Sequence, residues 1–449
     1  MQDSFSTSPT SILPSDDPFH SSFGQPNHDH QTPPDTATEN RLQFVGSGSE
    51  YFRIWIVNLL LSILTLGIYS AWAKVRREQY FHRNTLLDGS GFDYHGNPVS
   101  ILKGRIIAVG LLAILLFTEK LAPAYYFLVL LLFSPLIPWL LIRSFIFRAR
   151  NTSFRGLHFD FRGTYKVFCK AFLGYILIFV VLGWAISYSA EQLAFDDQTT
   201  IEQSIDDEDD AEDEEAFDDA NSTGEEDAID DDAAGDETKV SVQHVLLLGL
   251  AFTGMFLLMP AVVGTLKRFQ FNHLAFGASG FRTQCQLPSF YGVFLLALLP
   301  LLALVVVFAV CLSVAALALA GSGSLLFGMM PIVGLFAISF YLALLITPAG
   351  LGALIANLLW NNTRLEKHGF LSDQTFLGIA GITLSNWLLI LLTLGLYWPW
   401  AKVRITAYRA SHTAVLVAGD LDHFVAGASR EKDAIGEEIA DIFDFDIAL

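Results

Sequence analysis

Six long apolar stretches dominate this chain and decide what it can become. A helix rises about 1.5 Å per residue and the hydrocarbon of a bilayer is roughly 30 Å thick, so about 20 apolar residues make one span. Candidate spans fall at Ile106–Phe117 with its flanks, Leu121–Ile142, Ala171–Ala190, Val245–Leu266, Tyr291–Ala320 and Leu325–Trp360. The first is short and relies on Lys103 and Arg105 snorkelling to the headgroups. The last is too long for one crossing and is expected to kink near Pro348 or to run past the headgroups. Charged residues make up 16% of the chain and the mean hydropathy is +0.44, against about 25% charged in an average soluble domain. A water-soluble single core and a wholly disordered chain are both excluded.

The formal charge of −19 conceals two unlike parts. Glu191–Thr238 holds 23 Asp and Glu with no Lys or Arg, leaving 27 basic against 23 acidic residues elsewhere. This is a mildly basic membrane protein with an acidic insert, and nothing in the balance points to nucleic acid. Five parts follow: a disordered tail over 1–43, rich in Ser, Thr, Pro, Asp and His; a first membrane part over 44–190; an acidic, disordered extracytoplasmic loop over 191–239; a second membrane part over 240–418; and an acidic amphipathic tail over 419–449. In that tail Ile435, Ile439, Ile442 and Phe443 fall at i, i+4, i+7 and i+8. No charged n-region followed by an apolar run opens the chain, so no cleaved signal peptide is expected.

Two further apolar stretches, Phe52–Ala73 and Gly378–Ala401, are copies of one motif. Asn58–Arg76 and Asn386–Arg404 agree at 13 of 19 positions, sharing the Asn, Thr-Leu-Gly, Tyr and the run Trp-Ala-Lys-Val-Arg. Each copy breaks at Thr-Leu-Gly and ends in a basic cluster. Basic residues favour the cytoplasmic side. If both copies enter and leave on the same side as re-entrant hairpins, six spans remain, both termini are cytoplasmic, and 25 of the 27 Lys and Arg share one side, with only Lys120 and Lys239 opposite. If both copies cross, giving eight spans, the division is 18 against 9. The charge pattern therefore favours the re-entrant arrangement.

A second repeat sits between the apolar segments, starting at Arg83, Arg150, Phe271, Asn361 and Ser411. Each copy has a polar start, alternating apolar residues, Gly or charge near its centre, and then Phe or Leu. Alternation about a central Gly reads as a β-hairpin. A lone hairpin is marginal in water, so the five are expected to pair into a small β-module under the helices on the cytoplasmic face. The fold expected is a polytopic α-helical membrane protein with short β-hairpins between helices.

At these residues the chain resembles the YjgN family of bacterial inner-membrane proteins, a domain of unknown function. The resemblance rests on Phe44-Val-Gly-Ser-Gly-Ser-Glu-Tyr-Phe, Thr65-Leu-Gly-Ile-Tyr-x-x-Trp-Ala-Lys-Val-Arg, Arg150-Asn-Thr-Ser-Phe-Arg-Gly-Leu-His-Phe and the second Trp400-Ala-Lys-Val-Arg. It covers roughly Phe44 to the end and implies a multi-pass protein of the bacterial inner membrane. It brings no activity and no catalytic residues.

The candidate spans carry almost no ionisable residues, which disfavours a proton-coupled pump. Asn58, Thr65, Gly67 and Tyr69, with Asn386, Thr393, Gly395 and Tyr397, form the candidate polar site at the two breaks. They line a cavity, or they simply bond helix to helix and form the interfacial belt. Lys74, Arg76, Arg77, Lys402 and Arg404 are topology anchors or contacts for anionic phospholipid headgroups. Cys169, Cys285 and Cys311 give neither a disulfide framework nor a metal spacing, and no catalytic motif, phosphate loop or cofactor signature is present. The expected function is a non-enzymatic membrane module that organises lipids or a cytoplasmic protein partner. The alternative is a permease or channel for a small neutral solute.

Overall fold

The computed structural model describes residues 37–121, 125–213, 231–319 and 325–435. Six of its helical segments are long and apolar enough to cross a membrane: Pro98–Leu121, Leu128–Arg150, Tyr165–Gln192, Val242–Asn272, Leu287–Leu317 and Met330–Asn361. Between them run short strands. The pairs β3 (Thr85–Leu87) and β4 (Ser90–Tyr94), β5 (Thr152–Phe154) and β6 (Leu157–Phe161), β7 (Leu274–Phe276) and β8 (Ser279–Thr283), and β9 (Thr363–Leu365) and β10 (His368–Ser372) are four hairpins of one pattern. Two-residue connections need left-handed backbone, which Asp88 and Gly89 supply in the first hairpin, and Arg155 and Gly156 in the second.

Every strand pairs antiparallel with the next hairpin round, in the order β1-β11-β10-β9-β8-β7-β6-β5-β4-β3-β2. The outermost members of that order, β1 (Thr38–Arg41) and β2 (Gln43–Phe44), are separated in sequence by Leu42 alone. The first bonds to β11 (Thr413–Val417) and the second to β3, while the Leu42 N–H donates to the Thr413 carbonyl at 2.9 Å. The sheet is therefore a closed ring. Closure leaves no strand edge open.

This corrects the sequence reading of 1–43 as a disordered tail. Residues 1–36 lie outside the described residues, but Thr38–Phe44 is the strand that seals the ring. Its partner on one side is nearly the whole chain away, with Thr38 opposite Val417, so no local pattern reveals it. The acidic segment 191–239 also differs from the loop expected there. Helix α6 (Tyr165–Asp213) continues into it and α7 (Asp231–Asn272) begins inside it, while 214–230 lies outside the described residues. Glu191, Gln192, Leu193 and Ala194 follow the span with no stop signal, and all but the acid's own repulsion favours helix there.

Equivalent contacts recur round the ring. Phe92 faces Phe154, Phe159 faces Phe276, Phe281 faces Leu365 and Phe370 faces Val415. These side chains meet inside, where Leu87, Phe154, Leu157, Phe276, Phe281, Leu365 and Val417 form one core. The helix preceding each hairpin is capped alike. Asn84, Asn151 and Asn362 each donate an amide hydrogen at 2.8 Å to the carbonyl four residues back, and the Nδ1 of His273 and of His412 lies 2.8 Å from the equivalent carbonyl. Such caps occupy carbonyls that a helix end otherwise leaves bare.

Helix α12 (Leu421–Ile435) closes the turn end of the ring. Its Leu421, Val425 and Ala428 join the core, and Phe424 packs on it. The stripe expected at Ile435, Ile439, Ile442 and Phe443 is a separate matter, since Ile439, Ile442 and Phe443 lie outside the described residues. Arg155, at one hairpin turn, ties the helix down by pairing with Asp422 and, at 2.9 Å, with Asp88 of the neighbouring turn. The buried His368 stacks edge-on against Phe424 at 4.4 Å and accepts the Ala418 N–H at 3.2 Å. Burial pushes its imidazole below the usual histidine range, the nearby Glu366 opposing this.

Removing the chain up to Phe44 leaves β3 and β11 as open edges and deletes two ladders of hydrogen bonds, each bond worth about 1 kcal/mol net. The detergent-purified variant should lose on the order of 5–10 °C in unfolding midpoint and self-associate, as read by thermal scanning and gel filtration.

Candidate functional site

The two motif copies fold as helix pairs: α1 (Gly48–Leu64) with α2 (Ser70–Arg83), and α10 (Phe376–Leu392) with α11 (Trp398–Ser411). In each pair the first helix leaves the ring and the second returns to it. The Thr-Leu-Gly sequence makes the reversal. Leu66 and Gly67 have φ of 50° and 91°, and Leu394 and Gly395 have 51° and 93°. The Gly67 N–H bonds to the Ser62 carbonyl and the Gly395 N–H to the Ile390 carbonyl, both at 2.7 Å. The threonine hydroxyl works in both directions. Thr65 donates to Leu61 at 2.8 Å and accepts from the Tyr69 N–H at 2.9 Å; Thr393 donates to Leu389 at 2.6 Å and accepts from Tyr397 at 3.0 Å.

The asparagine joins the two arms in the second pair. Asn386 is buried, donates to the Ala401 carbonyl at 3.2 Å and accepts from Arg404 at 2.9 Å. Asn58 is buried at the matching place, but its Oδ1 has no hydrogen-bond partner. Trp72 packs on the cluster of Ala71, Tyr94, Ile101 and Phe147, and Trp400 packs on Phe52 with ring centroids 5.0 Å apart. Thr65, Gly67, Tyr69 and their copies are thus spent on turn geometry, and the tryptophans on packing between neighbouring helices.

The basic residues behave differently. The helices form a closed circuit above the ring: α11 packs on α1, α2 on α3 (Pro98–Leu121), α3 on α4 (Tyr126–Phe133), which leads into α5 (Leu136–Arg150), α5 on α6, α7 on α8 (Leu287–Leu319), and α9 (Leu325–Asn361) on α10. Lys74 on α2 nevertheless feels Arg148 on α5 and Arg105 on α3; Lys402 on α11 feels Arg77 on α2 and its own helix's Arg409; Lys267 on α7 feels Arg148. Of these residues Arg148 also lines a cavity between the helices and the ring. Together they make a cluster of mutually close cations at the ring ends of their helices.

Lys74 and Lys402 lie outside the six spans, and both ammonium groups are held below the usual lysine value. Burial is the main cause for each; Arg148 and Arg105 add to it for Lys74, and Arg77 and Arg409 for Lys402. Glu78 opposes both shifts, yet it is already paired with Arg77 at 3.0 Å. Lys402 and Arg409 have large accessible surface while being desolvated by surrounding protein.

Below these cations lies a cavity of about 460 Å³ bounded by Phe81, Phe145, Arg148, Gln270 and Trp360. It shares Leu42, Phe92, Phe159, Leu274 and Trp360 with a second cavity of about 170 Å³ inside the ring. Cationic above and apolar below, the axis suits a molecule with an anionic head and a greasy body.

Of the five basic residues singled out in the sequence, Lys74, Arg77 and Lys402 join this cluster. Arg404 is occupied by Asn386 and Ser385, and Arg76 lines a groove beside Arg53 and Arg83. Sequence reasoning missed Arg105, Arg148, Lys267 and Arg409. A basic residue near a helix end reads as an anchor from sequence, and only the circuit shows which ones come together. Outside the ring Arg282 sits directly across from Arg364, with Arg162 lining the same groove.

A family model described as "Bacterial protein of unknown function (DUF898)" matches residues 39–442. The chain belongs to this family. It is 24% identical over 412 residues to the inner membrane protein YjgN of Salmonella typhimurium strain LT2, an alignment covering 85% of this chain and 89% of that protein. The YjgN proteins of Escherichia coli O157:H7 and of Escherichia coli strain K12 are 27% and 28% identical, over 36% and 35% of this chain and 41% and 40% of theirs. No solved structure matches the chain at a significant level. The relatives and the six apolar helices together fit a multi-pass inner-membrane protein.

A Cβ at Gly395 meets open space, but its φ of 93° strains any other residue, whereas Gly381 in α10 has open space and no such backbone. Gly395→Ala should cost about 1–2 kcal/mol. Gly381→Ala should leave the unfolding midpoint unchanged or raise it, both read by thermal scanning in detergent.

Proposed function

We propose that this protein is a non-enzymatic inner-membrane module that holds an anionic phospholipid headgroup on the axis of its helix circuit. The observation that carries this reading is the mutual proximity of Lys74, Arg77, Arg148, Lys267, Lys402 and Arg409 from four helices, α2, α5, α7 and α11, with Arg148 lining the cavity above the ring. Like charges gathered in a partly desolvated space repel one another, and an anion relieves that cost. A membrane supplies phosphate-bearing lipids at the cytoplasmic interface, where basic clusters attract them.

In this reading α1–α2 and α10–α11 are re-entrant pairs, the β-ring lies in the cytoplasm, and both termini are cytoplasmic. Two features support it: each short pair starts and finishes at the ring, and 25 of 27 basic residues then share one side. The floor formed by α12 argues against an open route for a neutral solute, because the ring is packed shut at its turn end. On the ring's exterior the Arg282–Arg364 pair favours a further role in docking an acidic cytoplasmic partner, since like charges set directly across a ladder are unfavourable alone.

Arg148→Gln combined with Lys402→Gln should lower phosphatidylglycerol and cardiolipin retained through purification at least five-fold, measured by lipid mass spectrometry. Arg76→Gln, outside the cluster, should leave retention unchanged; equal retention in all three proteins rejects the reading. A reporter enzyme that works only in the periplasm, fused after Leu449, should stay inactive. Activity there would refute the re-entrant topology.

A further inference from the structure

The ring's interior is more than a packed core. Phe92, Phe154, Phe159, Phe276, Phe281 and Phe370 surround a space of about 170 Å³. Engineered apolar cavities of roughly that size stay dry and accept guests such as benzene. On the helix side this one adjoins the 460 Å³ cavity lined by Arg148, with Leu42, Phe92, Phe159, Leu274 and Trp360 as common walls. Its other end is blocked, since Leu421, Phe424, Val425 and Ala428 of α12 fill the turn end and Arg155 fastens that helix through Asp422. Access is therefore from the helix side alone. Arg148 lines the upper cavity and also faces Lys74 and Lys267, so a guest entering the ring leaves its other end among the cations.

We infer that the ring holds the acyl chain of an anionic amphiphile whose head rests on the axial cations, with α12 as the floor of the site. This deepens the headgroup reading and rests on it for the position of the head. The chemistry required is one unbranched apolar chain joined to an anionic head, which a phospholipid and a free fatty acid both offer. Three observations select it over a compact hydrophobic solute: a second cavity sharing walls with the first, the aromatic residues lining both, and the Arg148 charge lining the upper one.

The test exploits orientation. A phospholipid lying in the bilayer points its chain ends to the membrane midplane, so a photoreactive diazirine at the end of the chain labels the middles of the spans. A chain lowered into the ring carries the diazirine to the strands instead, beyond the ends of the six spans. Full-length protein is reconstituted into phosphatidylethanolamine vesicles containing diazirine-tailed phosphatidylglycerol, irradiated, and mapped by peptide mass spectrometry. Adducts on Phe154–Phe161 and Leu274–Phe281 are expected in addition to those on the spans. Adducts confined to the spans overturn the proposal, and this outcome needs no variant.

Val425→Trp, which fills the cavity from α12, should cut ring adducts at least five-fold while span adducts stay constant. Undiminished ring adducts in a folded Val425→Trp protein overturn it as well. Two more probes separate the two readings. Ring labelling by diazirine-tailed phosphatidylglycerol and fatty acid, but weakly by diazirine-tailed phosphatidylcholine, supports both, and the species retained from native membrane identifies the source. Equal ring labelling by all three keeps the chain site and refutes the cationic head site. Retention of phosphatidylglycerol without ring labelling keeps the head site and refutes the chain site.

Discussion

Backbone hydrogen bonding between five short, widely separated segments is the constraint on which the rest of this molecule depends. A three-residue strand followed by a five-residue strand has no stability alone. Each acquires it by bonding to the next hairpin, and the last and first are joined by β1 and β2 on either side of Leu42. The spans contribute little to one another: between 6% and 17% of the residues in each span's most apolar window are buried within the protein. Lipid does not drive apolar helices together. The ring is what sets their positions.

From that constraint the rest follows in order. Helices rooted at successive points of a ring must stand in a circuit, and a circuit has an inside. Residues just before the hairpins are delivered to related heights, as Arg148 and Arg409 illustrate, each three positions ahead of the capping Asn151 or His412. The same repetition sends one or two phenylalanines from each hairpin to the ring's interior. A cationic mouth over an aromatic barrel is thus a direct product of repeating one helix–hairpin unit, with side chains varied by position.

Much of this was legible in the sequence and some was not, for identifiable reasons. The spans were readable because about 20 apolar residues have no other stable use. The Thr-Leu-Gly break was visible because both copies preserve it, and its role in Leu66, Gly67, Leu394 and Gly395 is local backbone geometry. Closure was not legible. Thr38–Arg41 is polar and short, and nothing near it in sequence bonds to it. Nor was the convergence of Arg105, Arg148, Lys267 and Arg409, because a helix's rotation about its own axis is fixed by neighbours met only after folding. Arg404 shows the opposite error: it matches Arg76 in the motif, yet Asn386 engages it and Asn58 has no equivalent partner.

The pairing of Thr38 with Val417 also has a consequence for how the protein is made. The ribosome releases the first half of that pairing long before the second, with all six spans made in between. Throughout translation and membrane insertion the growing sheet therefore has two unsatisfied borders, and every additional hairpin merely moves one of them along. Completion is a single late event that ratifies all earlier steps, so a nascent protein halted before residue 413 has every span in hand and still lacks a finished scaffold.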